Sequence, residues 1–486
     1  MQLTTERGLV LLLFAFAVAA SVGTATDPDL WWHLRTGEVI VEDGIPRTDI
    51  FSYTVAGTDW ITHEWGSQVL MWLLWSAGGS SALIVVFTAL VGASFALAFR
   101  TSRARPLITV SMVVLAAFVA RIATAPRPQM FNLLFLAGLI LMLERIRQQR
   151  LAPRWVWAAV PLIVVWANLH SGYLLGIVTL AVYAVGERLE ARRDGGRPMA
   201  VEAGRRLPAV AIASFVGAAL NPSGLALWTY PLETLRSDAM REYIQEWHSP
   251  DFHSTWFWPF ALMLVVAVVA VVASPRRPGV TQMLLLAGTG LAGLQSMRHI
   301  PLFAIVAIPI VAEQIEVALD AQRVRTRTRP PLRSTAIAPL LAVLGMVVGV
   351  GGVAAAISAN DDAVAATYPV DAVDAILTSD LADARGYNAY GWGGYLIWRD
   401  IDVFIDGRAD VYGDEFMRLH FQAEKLEADW REPLDTFDVD YVLLAPDAEF
   451  GLVLDEAADW TEVYSDEVAV IWARCSTDCP VVGTTP

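Results

Sequence analysis

Charge is what this chain has least of. Charged residues make up 17% of its 486 positions and hydrophobic residues 55%, a balance that excludes an ordinary water-soluble domain and fits a membrane protein. Cysteine is nearly absent. The two present, Cys475 and Cys479, can pair if the C-terminus lies outside the cell, but two residues cannot define a disulfide scaffold. No phosphate-binding glycine loop and no nucleophile elbow occurs, which removes P-loop nucleotide hydrolases and α/β-hydrolases from consideration. The net charge of −15 is uneven: from Asn360 onward there are 28 acidic and 7 basic residues, leaving a mildly basic remainder. Neither part suits nucleic acid.

Apolar runs long enough to cross about 30 Å of hydrocarbon recur through the first 358 residues. They fall near 8–26, 80–99, 106–123, 129–146, 155–170, 172–188, 207–221, 256–274, 279–296, 299–317 and 335–358. The sequence therefore predicts an α-helical polytopic membrane protein of about eleven transmembrane helices over 1–358, followed by an acidic soluble α/β domain over 359–486. With the N-terminus inside, the inner loops collect Arg100, Arg103, Arg105, Arg145, Arg147, Arg150, Arg154, Arg188, Arg192, Arg193, Arg197, Arg205, Arg206, Arg276, Arg277, Arg323, Arg325, Arg327, Arg329 and Arg333. The outer loops hold only Arg35, Arg47, Arg121, Arg127, Arg236, Arg241 and Arg298. By the positive-inside rule the chain is a multi-pass protein of the plasma (inner) membrane with its tail extracytoplasmic.

The first outer loop, 27–79, is the most informative stretch. It opens with Asp27-Pro28-Asp29-Leu30-Trp31-Trp32-His33 and returns to the membrane surface with His63-Glu64-Trp65. Asp27-Pro28 reads as a helix start, with Asp27 as N-cap and Pro28 in the first turn. Gly44-Ile45-Pro46 stops that helix, and 64–75 reads as a second, interfacial one. A lone aspartate here would be no more than a cap. Two carboxylates flanking one proline cannot be the same cap, and Asp29 and His33 share a helix face.

Those residues resemble the GT-C superfamily, integral-membrane glycosyltransferases that use lipid-phosphate-linked sugars. The superfamily includes oligosaccharyltransferase catalytic subunits, protein O-mannosyltransferases and bacterial lipid A or cell-wall sugar transferases. The likeness rests on Asp27, Asp29 and the His33 region, a long outer loop with two interfacial helices after the first span, and a soluble tail; it covers 1–320. The tail signatures of the best-known members are absent. The resemblance implies a polyprenyl-phosphate-linked sugar donor and an extracytoplasmic glycan, lipid or protein acceptor.

Such a transfer needs a base for the acceptor hydroxyl and positive charge for the departing phosphate. Asp27 and Asp29 are the candidate catalytic carboxylates, with His33, His63 and Glu64 beside the substrate. Arg127, in Pro126-Arg127-Pro128, and Arg298, followed by His299, are outer-end guanidiniums suited to phosphate and are expected to share a cavity with Asp29. Alternatively they snorkel to lipid headgroups. His170, in Asn168-Leu169-His170-Ser171-Gly172, is a packed histidine or a contact to sugar hydroxyls; Trp247 is a sugar platform or an interfacial anchor. A divalent cation stays open: Asp27, Asp29 and Glu64 suit Mg²⁺ or Mn²⁺, while His33 and His63 would shift the preference toward zinc.

In the tail, strands are expected at 403–405, 441–444 and 468–472 and helices at 370–378, 413–428 and 450–458. Tyr390-Gly391-Trp392-Gly393-Gly394-Tyr395 reads as a stacking surface for sugars or as a tight turn. Asp406-Gly407-Arg408-Ala409-Asp410 reads as a structural ion pair. Two readings compete with the enzyme. One is a non-catalytic assembly or polysaccharide-export partner that keeps a degenerate GT-C-like fold. The other is a transporter, which the crowding of charges at outer span ends argues against.

Reporter fusions at Pro331 and Thr484 are expected to report opposite sides of the membrane; the same side for both would overturn the topology.

Overall fold

The structure, a computed structural model, describes residues 3–194, 201–323, 335–475, 479–480 and 482. Each apolar window of the sequence contains a helix. These are Thr5–Ala20, Trp65–Thr101, Pro106–Ala120, Met130–Arg147, Ala159–Leu169, Tyr173–Asp194, Val201–Gly217, Trp258–Ala273, Val280–Gln295, Ile300–Arg323 and Ala338–Ser358. Five segments among the described residues are long and apolar enough to cross a membrane: Trp65–Thr101, Pro106–Ala123, Thr255–Ala273, Met297–Gln322 and Ala338–Ser358. The architecture is that of a polytopic α-helical membrane protein, with a span count of eleven left as an expectation.

The chain forms two compact units. The first comprises Met1–Gly23, Ser81–Pro231 and Glu246–Ser358; the second comprises Thr24–Ser80, Leu232–Gln245 and Ala359–Pro486. In the first unit, helices Thr5–Ala20 and Ala338–Ser358 lie together, and small residues set how closely: a Cβ on Gly352 would stand 2.7 Å from Ala19 Cβ, and one on Gly345 3.0 Å from Leu12 Cα. The far side of the last helix is bare apolar surface, with Leu340 66% and Val347 62% exposed. Such surface is tolerable against hydrocarbon and not against water. Several arginines assigned to the inner side are ion-paired. Arg105 meets Glu316 at 2.8 Å and Asp320 at 2.7 Å, and Arg147 meets Glu187 at 3.0 Å. Arg197, Arg325, Arg327, Arg329 and Arg333 lie outside the described residues.

In the second unit the first outer loop and the tail share one core. The helix Leu30–Glu42 ends as expected: Asp43 and Gly44 N–H groups bond back to the Val39 and Ile40 carbonyls, and Gly44 takes φ +97°, which glycine adopts freely. A four-stranded sheet is ordered β1-β2-β4-β3, with β1 Gly386–Asn388, β2 Tyr441–Leu444, β3 Trp460–Ser465 and β4 Val470–Arg474. β1 runs parallel to β2, and β4 is antiparallel to both β2 and β3. Residues 403–405 do not join that sheet. Val403 instead exchanges backbone hydrogen bonds with Phe51 and Tyr53, at 3.1 and 3.3 Å, so the apolar run is buried against the outer loop. The Thr54 hydroxyl adds a bond to the Phe404 carbonyl at 2.7 Å. Cys475 and Cys479 form a disulfide.

Candidate functional site

The Asp27–His33 turn starts its helix two residues later than expected. Asp27 Oδ1 accepts the Asp29 N–H at 3.0 Å across Pro28, and the helix begins at Leu30 with Asp29, not Asp27, at the N-cap position. Asp29 makes no capping hydrogen bond. Its Oδ1 accepts the Trp32 indole N–H at 3.0 Å, and the residue is 9% exposed. The buried carboxylate is thus satisfied through the indole and not through the helix start. Asp27 is half-buried.

Arg408 lies in the same unit, 1% exposed and paired on both sides. Its Nε and Nη2 donate to Asp406 Oδ1 and Oδ2 at 2.8 and 2.6 Å, and Nη1 lies 2.6 Å from Asp49 Oδ1. The remaining lone pairs are filled: the Tyr412 hydroxyl donates to Asp406 at 2.6 Å, and the Ser52 hydroxyl and N–H donate to Asp49 at 2.6 and 3.1 Å. The Phe51 and Trp60 rings stand 5.0 and 4.7 Å from the guanidinium carbon. Of the two pairs that the string allows, Asp406–Arg408 and Arg408–Asp410, the first forms, with Asp49 as a third member.

His33, His63 and Glu64 come together. His63 Nε2 is 3.0 Å and His33 Nε2 3.5 Å from the two Glu64 oxygens. Gln68 Nε2 donates to His33 Nδ1 at 3.3 Å, which leaves the His33 proton on the side of Glu64. His63 faces acceptors with both nitrogens, since its Nδ1 lies 3.2 Å from the Ile61 carbonyl. Two acceptors require two protons. Burial works against the charge, but Glu64 and then Asp410 outweigh it and raise the His63 pKa. Asp410 reaches solvent, yet burial among protein atoms raises its carboxyl, with His63 opposing. Among the described residues no three His, Cys, Asp or Glu side chains are grouped to hold a metal ion.

Residues 390–395, read as a sugar-stacking surface or a tight turn, form a short 3-10 helix, Tyr390–Trp392, that runs into the helix Gly393–Trp398. Tyr395 is 5% exposed and stacked on Tyr368 at 5.2 Å, and the Trp392 indole donates to the Thr367 carbonyl at 3.0 Å.

Arg127, His170 and Arg298 belong to the first unit and gather around Glu246, a residue the sequence did not single out for this role. Arg127 Nη1 donates to Glu246 Oε1. Burial would raise the Glu246 carboxyl, but Arg127, then Arg298 and His170, hold it below the usual carboxylate range. The segment is strapped in place: the Ser296 hydroxyl donates to the Glu246 carbonyl at 2.9 Å and the Met297 N–H to the His248 carbonyl at 3.0 Å. Arg298 lies over the Trp247 ring, its guanidinium carbon 4.6 Å from the centroid. Trp247 is thereby a cation–π partner. His170 accepts the Gly172 N–H on Nδ1 at 2.7 Å, fixing its ring. His299 follows Arg298 in the chain, and the Ala292 backbone is a hydrogen-bonding group beside its ring.

The whole chain has counterparts among solved structures. It superposes on ArnT from Cupriavidus metallidurans bound to undecaprenyl phosphate with TM-score 0.54 and 12% identity, covering 97% of this chain and 98% of that one. The oligosaccharyltransferase of Archaeoglobus fulgidus tethered to an acceptor peptide gives TM-score 0.58 and 13% identity, over 96% of this chain and 73% of that one. The archaeal oligosaccharyltransferase AglB from the same organism, in complex with an inhibitory peptide and a dolichol-phosphate, gives 0.55 and 11%, over 97% and 74%. The fold is GT-C. No protein-family model matches the chain, and no curated protein matches it in sequence. At these identities the likeness is one of fold.

The raised pKa of His63 carries a pH signature. A group whose folded pKa exceeds its unfolded value, about 6.5 for histidine, stabilises fully below that value and loses the contribution as pH rises through the folded pKa. Melting of the detergent-solubilised protein is expected to show a stability loss on the alkaline side of pH 6.5 that His63→Gln reduces. Identical wild-type and His63→Gln profiles would show that His63 is uncharged.

Proposed function

We propose that the chain is a GT-C-type glycosyltransferase of the plasma membrane, with its tail extracytoplasmic, that moves a sugar from a polyprenyl-phosphate donor to an extracytoplasmic acceptor with inversion. The observation that carries the reading is the coincidence of two features. The fold is shared over almost the full length with ArnT bound to undecaprenyl phosphate and with AglB in complex with dolichol-phosphate and a peptide. At the start of the first outer loop, two carboxylates flank one proline, and neither is a capping group for the helix that follows.

In the reaction the acceptor hydroxyl oxygen attacks the anomeric carbon. The new C–O glycosidic bond forms as the bond from that carbon to the phosphate oxygen breaks. The hydroxyl proton goes to a carboxylate, and polyprenyl phosphate departs with the electron pair as an anion. A single displacement inverts the anomeric centre. Asp27, the more accessible of the pair, and Asp29, anchored by Trp32, supply the base and its orienting partner. Arg127 and Arg298 supply positive charge for the departing phosphate; their convergence on Glu246 keeps two like charges close before an anion arrives.

Asp27→Asn and Asp29→Asn keep shape and hydrogen bonding but remove the proton acceptor. Each is expected to lower transfer from a polyprenyl-phosphate-linked sugar, most for whichever is the base, where the loss is about 10²–10⁴-fold, with insertion and melting unchanged. Near-wild-type transfer by both single variants and the double variant would make these carboxylates structural and move the base to Glu64; absence of transfer by the wild-type protein would return the chain to a non-catalytic assembly role.

A further inference from the structure

Two glycine-bearing strings of the tail have no role in the chemistry above, yet both lie against the Asp27–Asp29 turn within the second unit. Built as alanine, Gly407 would place its Cβ 1.9 Å from Asp29 Oδ1 and 3.2 Å from Trp32 Nε1; Gly394 would place its Cβ 2.5 Å from the Pro28 carbonyl oxygen. Neither glycine adopts the left-handed backbone that would demand it on conformational grounds. Their lack of a side chain is thus a matter of space: the turn occupies the volume where each Cβ would go.

We infer that Gly394 and Gly407 form a cradle contributed by the tail that sets the position of the Asp27–Asp29 carboxylates, which makes the tail a structural wall of the acid–base centre. The cradle is itself pinned. Asp406 accepts the Arg408 backbone N–H at 2.9 Å and grips its side chain, fixing the bend that carries Gly407. The Asn388 side chain donates to the Ile405 carbonyl at 2.9 Å and accepts the Phe404 N–H at 3.0 Å, tying the run before that bend to β1. Gly393 brings its helix against the same run, since a Cβ there would stand 2.0 Å from the Ile405 carbonyl oxygen. The Tyr390–Tyr395 and Asp406–Asp410 strings are therefore one device, packed on each other and on the turn. Gly394 and Gly407 act through Asp27 and Asp29 and are positioning residues. An approach of 1.9 Å can be relieved only by moving the carboxylate about 1 Å or more, enough to misplace a general base.

The inference rests on the reading in the preceding subsection, and the test separates the two. The first arm needs no activity. Gly407→Ala should lower the melting temperature of the full-length protein, and the same change made on Asp29→Ala should cost clearly less, because the conflicting carboxylate is gone. Additive shifts would overturn the cradle. In the second arm, Gly394→Ala and Gly407→Ala should each lower the turnover number about a hundredfold while KM for the polyprenyl-phosphate donor stays within about twofold. Gly391→Ala, in the same string but with nothing within 4 Å of its Cβ, should do neither. Wild-type turnover by Gly407→Ala, or an equal loss in Gly391→Ala, would overturn the positioning role. Absence of transfer by the wild-type protein would end the glycosyltransferase reading, and the melting cycle would still decide whether the glycines seat the turn.

Discussion

The ion cluster of Arg408 with Asp406 and Asp49 is the constraint on which the second unit depends. Removing three charges from water costs several kcal/mol per ion, and only near-complete pairing offsets that. Here the guanidinium fork grips one carboxylate with two nitrogens, a third nitrogen meets the other carboxylate, and hydroxyl and backbone donors fill the remaining lone pairs. A cluster of this kind tolerates one arrangement and penalises others steeply. It therefore fixes Asp49 in the first outer loop to Asp406 in the tail. Those anchors govern where the backbone of residues 51–54 meets that of 403–404 and where the bend at Gly407 lies.

What the sequence revealed and what it hid follow from interaction range. Apolar windows and helix stops are local: every window holds a helix, and Gly44 ends the first interfacial helix as its position implied. The strand at 441–444 is legible from a short β-branched run between turns, and the one expected at 468–472 lies two residues later, at Val470–Arg474. The run 403–405 has the same local signature and is not a strand of the sheet, because its partner is the outer loop 350 residues away in sequence. Asp49 carried no sign of its role, since nothing near it in sequence announces a buried guanidinium. The Leu30 helix starts later than the Asp27-Pro28 pair implies, because the Asp27 side chain accepts the Asp29 N–H two residues ahead of the position that caps the helix.

The basic cluster of the first unit illustrates the same limit. Arg127, His170 and Arg298 stood out as rare polar groups at outer span ends, but the carboxylate that gathers them, Glu246, lies in a loop of ordinary composition. Two guanidiniums with one carboxylate carry a net positive charge. Burial alone would raise the Glu246 carboxyl; Arg127, then Arg298 and His170, hold it below the usual carboxylate range. His63 and Glu64, by contrast, are adjacent in the sequence, and His33, at the start of the same loop, joins them in space.

The measurement that tests the account most directly is an experimental structure with a polyprenyl phosphate bound. The account predicts the phosphate oxygens within hydrogen-bond distance of the Arg127 and Arg298 guanidiniums, with the Arg127–Glu246 pair loosened to admit them. A phosphate held by other groups, with Arg127 and Arg298 still closed on Glu246 and Trp247, would contradict it.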